Sequence, residues 1–406
     1  MQDKNFQECV KCTVCTAYCP MAAVNPSYIG PKQAGPDGER YRLKDKAFYD
    51  YALKYCLNCK RCETACPSGV RIGDIIAKAK LESESFKPGL REMILANTDL
   101  MGSLAVPFSP IVNKALGLDI SKKAMDGILG IDHRRTFPSY ASETFVHWYR
   151  RKAARTQKKF ERQIYYFHGC YANYNFTKLS KDFVRLMNAC GYGVRLLDKE
   201  KCCGVALISN GMGKQAARQG KINLASIRKA GAPVLTTSTT CTMTLRDEYP
   251  HVLGLDNADV RENIQLALKF IYEKVESGEI KLAFRDDCRK RIAYHTSCHM
   301  ERLGWWIYAT RLLEMIPGVD LRILESSCCG ISGTYGFKKE NYEYSQAIGK
   351  KLFDNIRDAA ADIVATECET CKWQIEMSTG FEVQNPICIL ADALDVEATR
   401  ALNGVR

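Results

Sequence analysis

Two runs of four cysteines carry the densest chemistry in this chain. Cys9, Cys12, Cys15 and Cys19 follow a C-x2-C-x2-C-x3-C-P spacing that ends on Pro20, and Cys56, Cys59, Cys62 and Cys66 repeat it before Pro67. Three thiolates in one tight loop can converge on the corners of one cube. This is the bacterial ferredoxin spacing for a [4Fe–4S] cluster, in which the fourth cysteine of each run ligates the other run's cluster. The expected sets are therefore crossed: Cys9, Cys12, Cys15 and Cys66 around one cubane, and Cys56, Cys59, Cys62 and Cys19 around the other. Proline after the fourth cysteine fixes φ and offers no N–H, which suits a turn. The competing reading is a pair of zinc knuckles. Zinc sites use two or four ligands per loop pair, rather than two runs of four closed by Cys-Pro.

Nine further cysteines fall into two copies of one pattern, with Cys170 and Cys298 offset by 128 residues. The first copy reads IYYFHGC to Cys170, then EKCCG with Cys202, Cys203 and Gly204, then VLTTSTTC to Cys241. The second reads IAYHTSC to Cys298, then ESSCCG with Cys328, Cys329 and Gly330, then ATECETC with Cys368 and Cys371. A β-branched run precedes each cysteine element and helical stretches lie between. Such alternation implies parallel sheets with right-handed crossovers. It puts every cysteine just past the carboxyl end of a strand, where open α/β sheets gather ligands. The copies are unequal. Thr244 stands where the first copy would need a fifth thiol, and a neutral hydroxyl is a poor ligand for a soft metal site. Four thiolates can still hold a cluster or a structural zinc. Cys190, Cys288 and Cys388 fit neither pattern and read as small core residues.

The elements around these cysteines divide the chain into four parts. Residues 1–83 form the two-run unit, 84–163 a cysteine-free helical connector, 164–287 the first copy and 288–406 the second. The expected fold class is α/β, with a helical ferredoxin-like domain followed by tandem repeats with parallel strands. Within the connector, LREMILANTDLMGSLAVPFSPIVNKALGL is apolar but interrupted by Pro107 and Pro110. It leads to a basic tract holding Arg134, Arg135, Arg150, Arg151, Lys152, Arg155, Lys158, Lys159 and Arg162. With Phe145, Trp148 and Tyr149 beside it, that tract suits an anionic bilayer surface with the rings at headgroup level. A solvated helix face against a partner protein is the alternative.

Twenty cysteines without an apolar leader segment argue against a disulfide scaffold and for metal ligation. No run of 18 apolar residues is present to span a membrane as a helix. The formal charge is +12, from 58 basic and 46 acidic residues. A four-thiolate cubane carries about −2 and offsets part of that surplus. No recognised nucleic-acid module accompanies the charge. Nor does a dinucleotide fingerprint follow a strand, so nothing marks a hydride acceptor. The glycines Gly330, Gly333 and Gly336 follow the second CCG and are expected to let backbone, or a flat ring, pass close to a cluster. His168, His295 and His299 flank the first cysteine of each copy. They read as hydrogen-bond partners of thiolates or core imidazoles, or as proton donors for quinol formation.

Adjacent cysteines followed by glycine, with a lone cysteine upstream and Cys-x-x-Cys downstream, resemble the CCG domain of the heterodisulfide reductase B-subunit and of respiratory iron–sulfur proteins. The strings GPKQAGPDGER, CLNCKRCETACP, TDLMGS, IDHRRT, EKCCG, LRDEYP, CCGISGTYGFKKENY and CETCKWQIEMST are similar to the C-subunit family of anaerobic glycerol-3-phosphate dehydrogenases. That resemblance implies an electron-transfer and membrane-anchoring component, peripheral on the cytoplasmic face of the inner membrane. It would bind flavin-containing catalytic A/B subunits and pass electrons to quinone. It also implies a non-cubane [4Fe–4S] cluster on Cys298, Cys328, Cys329, Cys368 and Cys371, with Cys170, Cys202, Cys203 and Cys241 left to a further cluster or zinc. Two other readings stay open: a self-contained reductase of disulfide or quinone, and the iron–sulfur component of lactate or glycolate oxidation.

Overall fold

The computed structural model describes residues 4–405. The expected α/β class is found, with helices first and two parallel sheets after. The first sheet contains β1 (Arg162–Phe167), β2 (Tyr192–Leu196), β3 (Val234–Thr236) and β4 (Ile264–Leu266), in the order β2-β1-β3-β4. The second contains β5 (Lys290–Tyr294), β6 (Val319–Ile323), β7 (Ile363–Ala365) and β8 (Val383–Gln384), in the order β6-β5-β7-β8. All these pairs are parallel, so the two copies share one topology.

Sequence chemistry explains this arrangement. Strands β3 and β7 read VLT and IVA and are buried along their whole length, as expected where helices cover both faces of a parallel sheet. The crossover helices carry the matching apolar stripes. Helix Thr177–Ala189 buries Leu179, Phe183, Leu186 and Met187, and helix Tyr342–Asp358 buries Ile348, Leu352, Phe353 and Ile356. One apolar core runs through both copies, from Tyr166 and Phe183 to Leu312 and Leu390. Cys190 and Cys388 are buried in it, while Cys288 is half-buried at its edge.

The order of each sheet decides where the cysteines go. The central strand and its two neighbours, β2-β1-β3 and β6-β5-β7, are the three strands whose carboxyl ends lead into cysteine loops. Three segments far apart in sequence therefore end side by side.

The ferredoxin-like unit has its own small core of Met21, Leu53, Val70, Ile72 and Ile76, which continues into Cys328, Tyr335 and Ile348 of the second copy. Helix Ile72–Glu82 closes it. The connector folds into helices Leu90–Ala96, Thr98–Ala105, Ser109–Gly117 and Asp119–Leu129. It is stitched to the second copy by an antiparallel bridge between Ile131 and Lys338. Arg135 is fully buried there, donating to Ser345 at 2.9 Å and to Gln374.

The aromatic residues of the basic tract do not face outward. Phe145 and Tyr149 are buried, Trp148 packs on the core, and the Tyr149 hydroxyl donates to the Val194 carbonyl at 2.6 Å. Their apolar area is worth more inside than at a headgroup layer. The charges of Arg134, Arg150, Arg151, Lys152, Arg155, Lys158 and Lys159 remain exposed.

Candidate metal centres

The two ferredoxin runs build their loops without glycine. Lys11 and Thr13 take left-handed backbone angles on either side of Cys12, and Asn58 and Lys60 do the same around Cys59. Such angles are unfavourable for non-glycine residues and persist where the surroundings impose them. Here they curl the loop so that its thiols point to one centre. Cys9, Cys12, Cys15 and Cys66 line one small void, and Cys19, Cys56, Cys59 and Cys62 line another. Backbone N–H groups of Asn58 and Val70 point at the Cys56 and Cys66 sulfurs, each at 3.4 Å. Donors aimed at sulfur favour its charged, ligating form. Burial works the other way and pushes the Cys19 thiol up to about 12.

The second copy brings its five cysteines together. Cys329 and Cys371 lie 3.3 Å apart, and Cys298 lies against Cys328. Cys368 sits at the N-terminus of helix Glu369–Thr379 and accepts from the Cys371 N–H at 3.4 Å. Its hydrogen bond with the Cys371 thiol then holds its pKa down at about 6. The first copy gathers Cys170, Cys202, Cys203 and Cys241 in the same way, with Cys202 joined to Cys170 and Cys203. Thr244 is buried, and its hydroxyl donates to Glu248 at 2.7 Å. Both thiol sets border one cavity of about 390 Å³, which also touches Cys59.

These sites have the donor character of iron–sulfur binding: grouped thiols with N–H groups directed at sulfur.

Several partners were not legible in the sequence. Lys60 is fully buried, 2.5 Å from Asp74 and 3.5 Å from Glu248. Burial disfavours its charge, but Asp74, Glu63 and Glu248 outweigh burial and raise its pKa. Asn58 donates to the same Glu248 at 2.6 Å. The ferredoxin unit is thus pinned to the first copy through the helix that begins at Thr239. Arg61 ties it to the second copy, donating to Glu301 at 2.7 Å and to the Ser326 hydroxyl at 3.0 Å. In the connector, Asp99 accepts the Cys202 N–H at 2.7 Å. None of these residues carries a motif, because each partner lies far away in sequence.

The histidines separate. His299 donates from Nε2 to the Asn58 carbonyl at 3.0 Å and meets the Thr240 hydroxyl at 3.2 Å, bordering the cavity. His168 also borders it, donating from Nδ1 to the Gly169 carbonyl at 2.9 Å. Burial drives its pKa down to about 4. His295 is wholly enclosed, and its pKa falls to about 3.

The glycines after the second CCG serve packing more than ligand access. A Cβ on Gly330 would collide with the Ser345 carbonyl oxygen, and one on Gly336 would lie 2.6 Å from the Ser345 hydroxyl. Both let helix Tyr342–Asp358 press on the cysteine loop. Only Gly333 borders the cavity with open space beside it.

Comparison with known proteins agrees with this architecture. A 4Fe-4S dicluster domain matches residues 5–70, and a cysteine-rich domain matches residues 164–246 and 292–376. Over 97% of its length the chain is 54% identical to the C-subunit of the anaerobic glycerol-3-phosphate dehydrogenase of Escherichia coli K12, covering all of that protein. The D-subunit of the dihydromethanophenazine:CoB–CoM heterodisulfide reductase of Methanosarcina barkeri is 24% identical over 98% of this chain and 96% of its own length. A probable glycolate oxidase iron–sulfur subunit of Bacillus subtilis is 22% identical over 93% of this chain and 90% of its own length. With that identity, that coverage and cysteine sets placed as described, the chain belongs to the C-subunit family of anaerobic glycerol-3-phosphate dehydrogenases, whose members are iron–sulfur electron-transfer proteins.

Proposed function

We propose that this chain takes electrons from the flavin-containing A/B subunits of an anaerobic glycerol-3-phosphate:quinone oxidoreductase and delivers them to membrane quinone from the inner-membrane surface. The observation that carries the reading is the contact between the Cys59 and Cys298 thiols. It joins the inner ferredoxin set directly to the five-cysteine set of the second copy. We assign the ligands as two crossed cubane sets, Cys9, Cys12, Cys15 with Cys66 and Cys56, Cys59, Cys62 with Cys19. Cys298, Cys328, Cys329, Cys368 and Cys371 are assigned to a non-cubane cluster. Cys170, Cys202, Cys203 and Cys241 are assigned to a fourth cluster or to zinc. Bound there, iron–sulfur clusters supply one-electron relay.

The residues of the chain set a direction for that relay. Cys12 is exposed, with Val10, Val14 and Tyr18 exposed around it, so the outer set offers a face to a partner. Cys59 and Cys298 are half-buried at the junction, where Arg61 and Glu301 hold the two units together. Beyond the junction lies the shared cavity, with His299 at its wall as the candidate proton donor.

The cavity between two thiol sets also gives room for a disulfide, which favours the reductase alternative as the second reading. Anaerobically purified chain, reduced by its A/B partners, decides between them. Re-oxidation by a short-chain quinone and not by a disulfide supports the first reading, and the reverse supports the second. EPR with metal analysis on the same sample counts the clusters and identifies the metal in the first copy.

A further inference from the structure

We propose that the four connector helices between Leu90 and Leu129 are the membrane-seated face of this chain, lying in the plane of an anionic bilayer, and that the cavity beneath them admits the quinone ring. The quinone half rests on the function proposed above; the membrane half stands on the surface itself.

Among the described residues, nine of the eighteen exposed large apolar side chains fall between Leu90 and Ile128. Leu104, Phe108 and Ile111 are among them, and Ile111, Ile120 and Ile128 are 71%, 77% and 81% exposed. Apolar exposure concentrated in about a tenth of a chain marks an interaction surface. The same helices turn Leu95, Met101, Leu116, Met125 and Leu129 toward the cavity that borders both cysteine sets. They are therefore apolar on two sides, a thin roof between the outside and the thiols.

Charge selects the occupant. Three of the acids in these helices point inward. Glu92 pairs with Arg91 and Lys338, Asp99 accepts from the Cys202 N–H, and Asp126 holds His133 and Lys339. Asp119 is left exposed, beside exposed Lys114 and Lys123. An apolar face rimmed by lysine fits anionic headgroups. The longest of the four helices has 11 residues, and no helix among the described residues is long and apolar enough to cross a membrane. In-plane seating is the geometry left to them. A catalytic partner has its own place at the exposed Cys12 end, where electrons must enter. The basic stretch from Arg150 to Lys159 has its aromatic residues folded into the core and adds only charge.

The test uses full-length, cluster-loaded chain floated with vesicles of mixed phosphatidylglycerol and phosphatidylcholine. Phe108→Asp/Ile111→Asp/Ile120→Asp is expected to lower the bound fraction about tenfold at about 0.15 M salt, while Arg151→Glu/Lys152→Glu/Arg155→Glu changes it less than about twofold. All three apolar positions are on the surface, so unchanged EPR spectra show that the variant remains folded. Flotation that survives the apolar variant, or a loss of A/B binding in its place, overturns the membrane seat. For the cavity, vesicle-borne azidoquinone is expected to label peptides around Met101 and Met125, and Leu116→Trp/Met125→Trp should abolish that label without reducing flotation. Labelling confined to other surfaces overturns the route. Failure of the functional reading looks different: soluble quinone would not re-oxidise the reduced chain, while flotation would be unaffected.

Discussion

The Cys59 thiol lies against that of Cys298, so the middle of the second ferredoxin run meets the first cysteine of the second CCG copy. Arg61 sits two residues from Cys59 and holds this junction closed. Its guanidinium donates to Glu301 and Ser326 and lies 4.6 Å from the centre of the Tyr18 ring. Arg61→Met leaves Glu301 without its buried cation, at a cost of about 3 kcal/mol. Electron transfer from the ferredoxin unit to the second copy should slow, with the A/B-dependent reduction of the outer set intact. Rapid-freeze EPR separates the two steps, and Arg61→Lys should restore part of the rate.

The crossed ligand sets make a prediction that a run-by-run assignment does not share. Cys66 lies with Cys9, Cys12 and Cys15, and Cys19 with Cys56, Cys59 and Cys62. Cys66→Ser should therefore disturb the EPR signal of the set nearer the exposed end. If the signal of the Cys56 run is lost instead, the pairing is wrong.

Much of this was readable from residue types alone. The cysteine spacings and the strand–helix alternation foretold two parallel sheets with their thiols at the carboxyl ends, because spacing and periodicity are local properties. The buried charges were not readable. Lys60 and Arg61 look like ordinary loop cations until Glu248 and Glu301 arrive from more than 180 positions away. Phe145 and Tyr149 misled for the same reason, since a strand that buries them is invisible beside a run of arginines. The glycines after the second CCG answer to Ser345, on a helix that periodicity predicts but does not place.

The network around Lys60 should be costly to break. Lys60→Met leaves Glu63, Asp74 and Glu248 close together, with Arg302 at 3.0 Å from Glu63 and Arg71 at 4.0 Å from Asp74 as nearby cations. A destabilisation of about 3–5 kcal/mol follows from the uncompensated buried charge. The rate at which visible cluster absorbance is lost in guanidinium measures it. Adding Glu248→Gln to Lys60→Met should recover part of the loss, whereas additive losses would contradict the network.

Lys80 gives a pH-dependent prediction. Burial lowers its pKa to about 8, against the pull of Cys56, and its Nζ lies 4.4 Å from the centre of the Phe86 ring. A lowered folded pKa means the cation is present below about 8 and lost as pH rises through it. The negative charge of a loaded cluster moves that crossing upward. A nearby cation favours the reduced state, so Lys80→Met should lower the potential of the inner ferredoxin set by tens of millivolts at pH 7. The difference should shrink in alkaline solution. A pH-independent gap in a redox titration would remove Lys80 from the account.

The central claim is that the two CCG copies are unequal and that electrons leave by the second. The thiol sets of the copies differ, five against four with Thr244 bonded to Glu248, and Cys298 of the second copy interacts with Cys59 of the ferredoxin unit. The direct measurement compares Cys371→Ser and Cys241→Ser, both reduced by the A/B subunits and then mixed with quinone. Cys371→Ser is expected to abolish quinone reduction while both ferredoxin clusters still accept electrons, and Cys241→Ser is expected to retain most of the rate. Equal loss in the two variants, with both folded and otherwise metallated, would contradict the account.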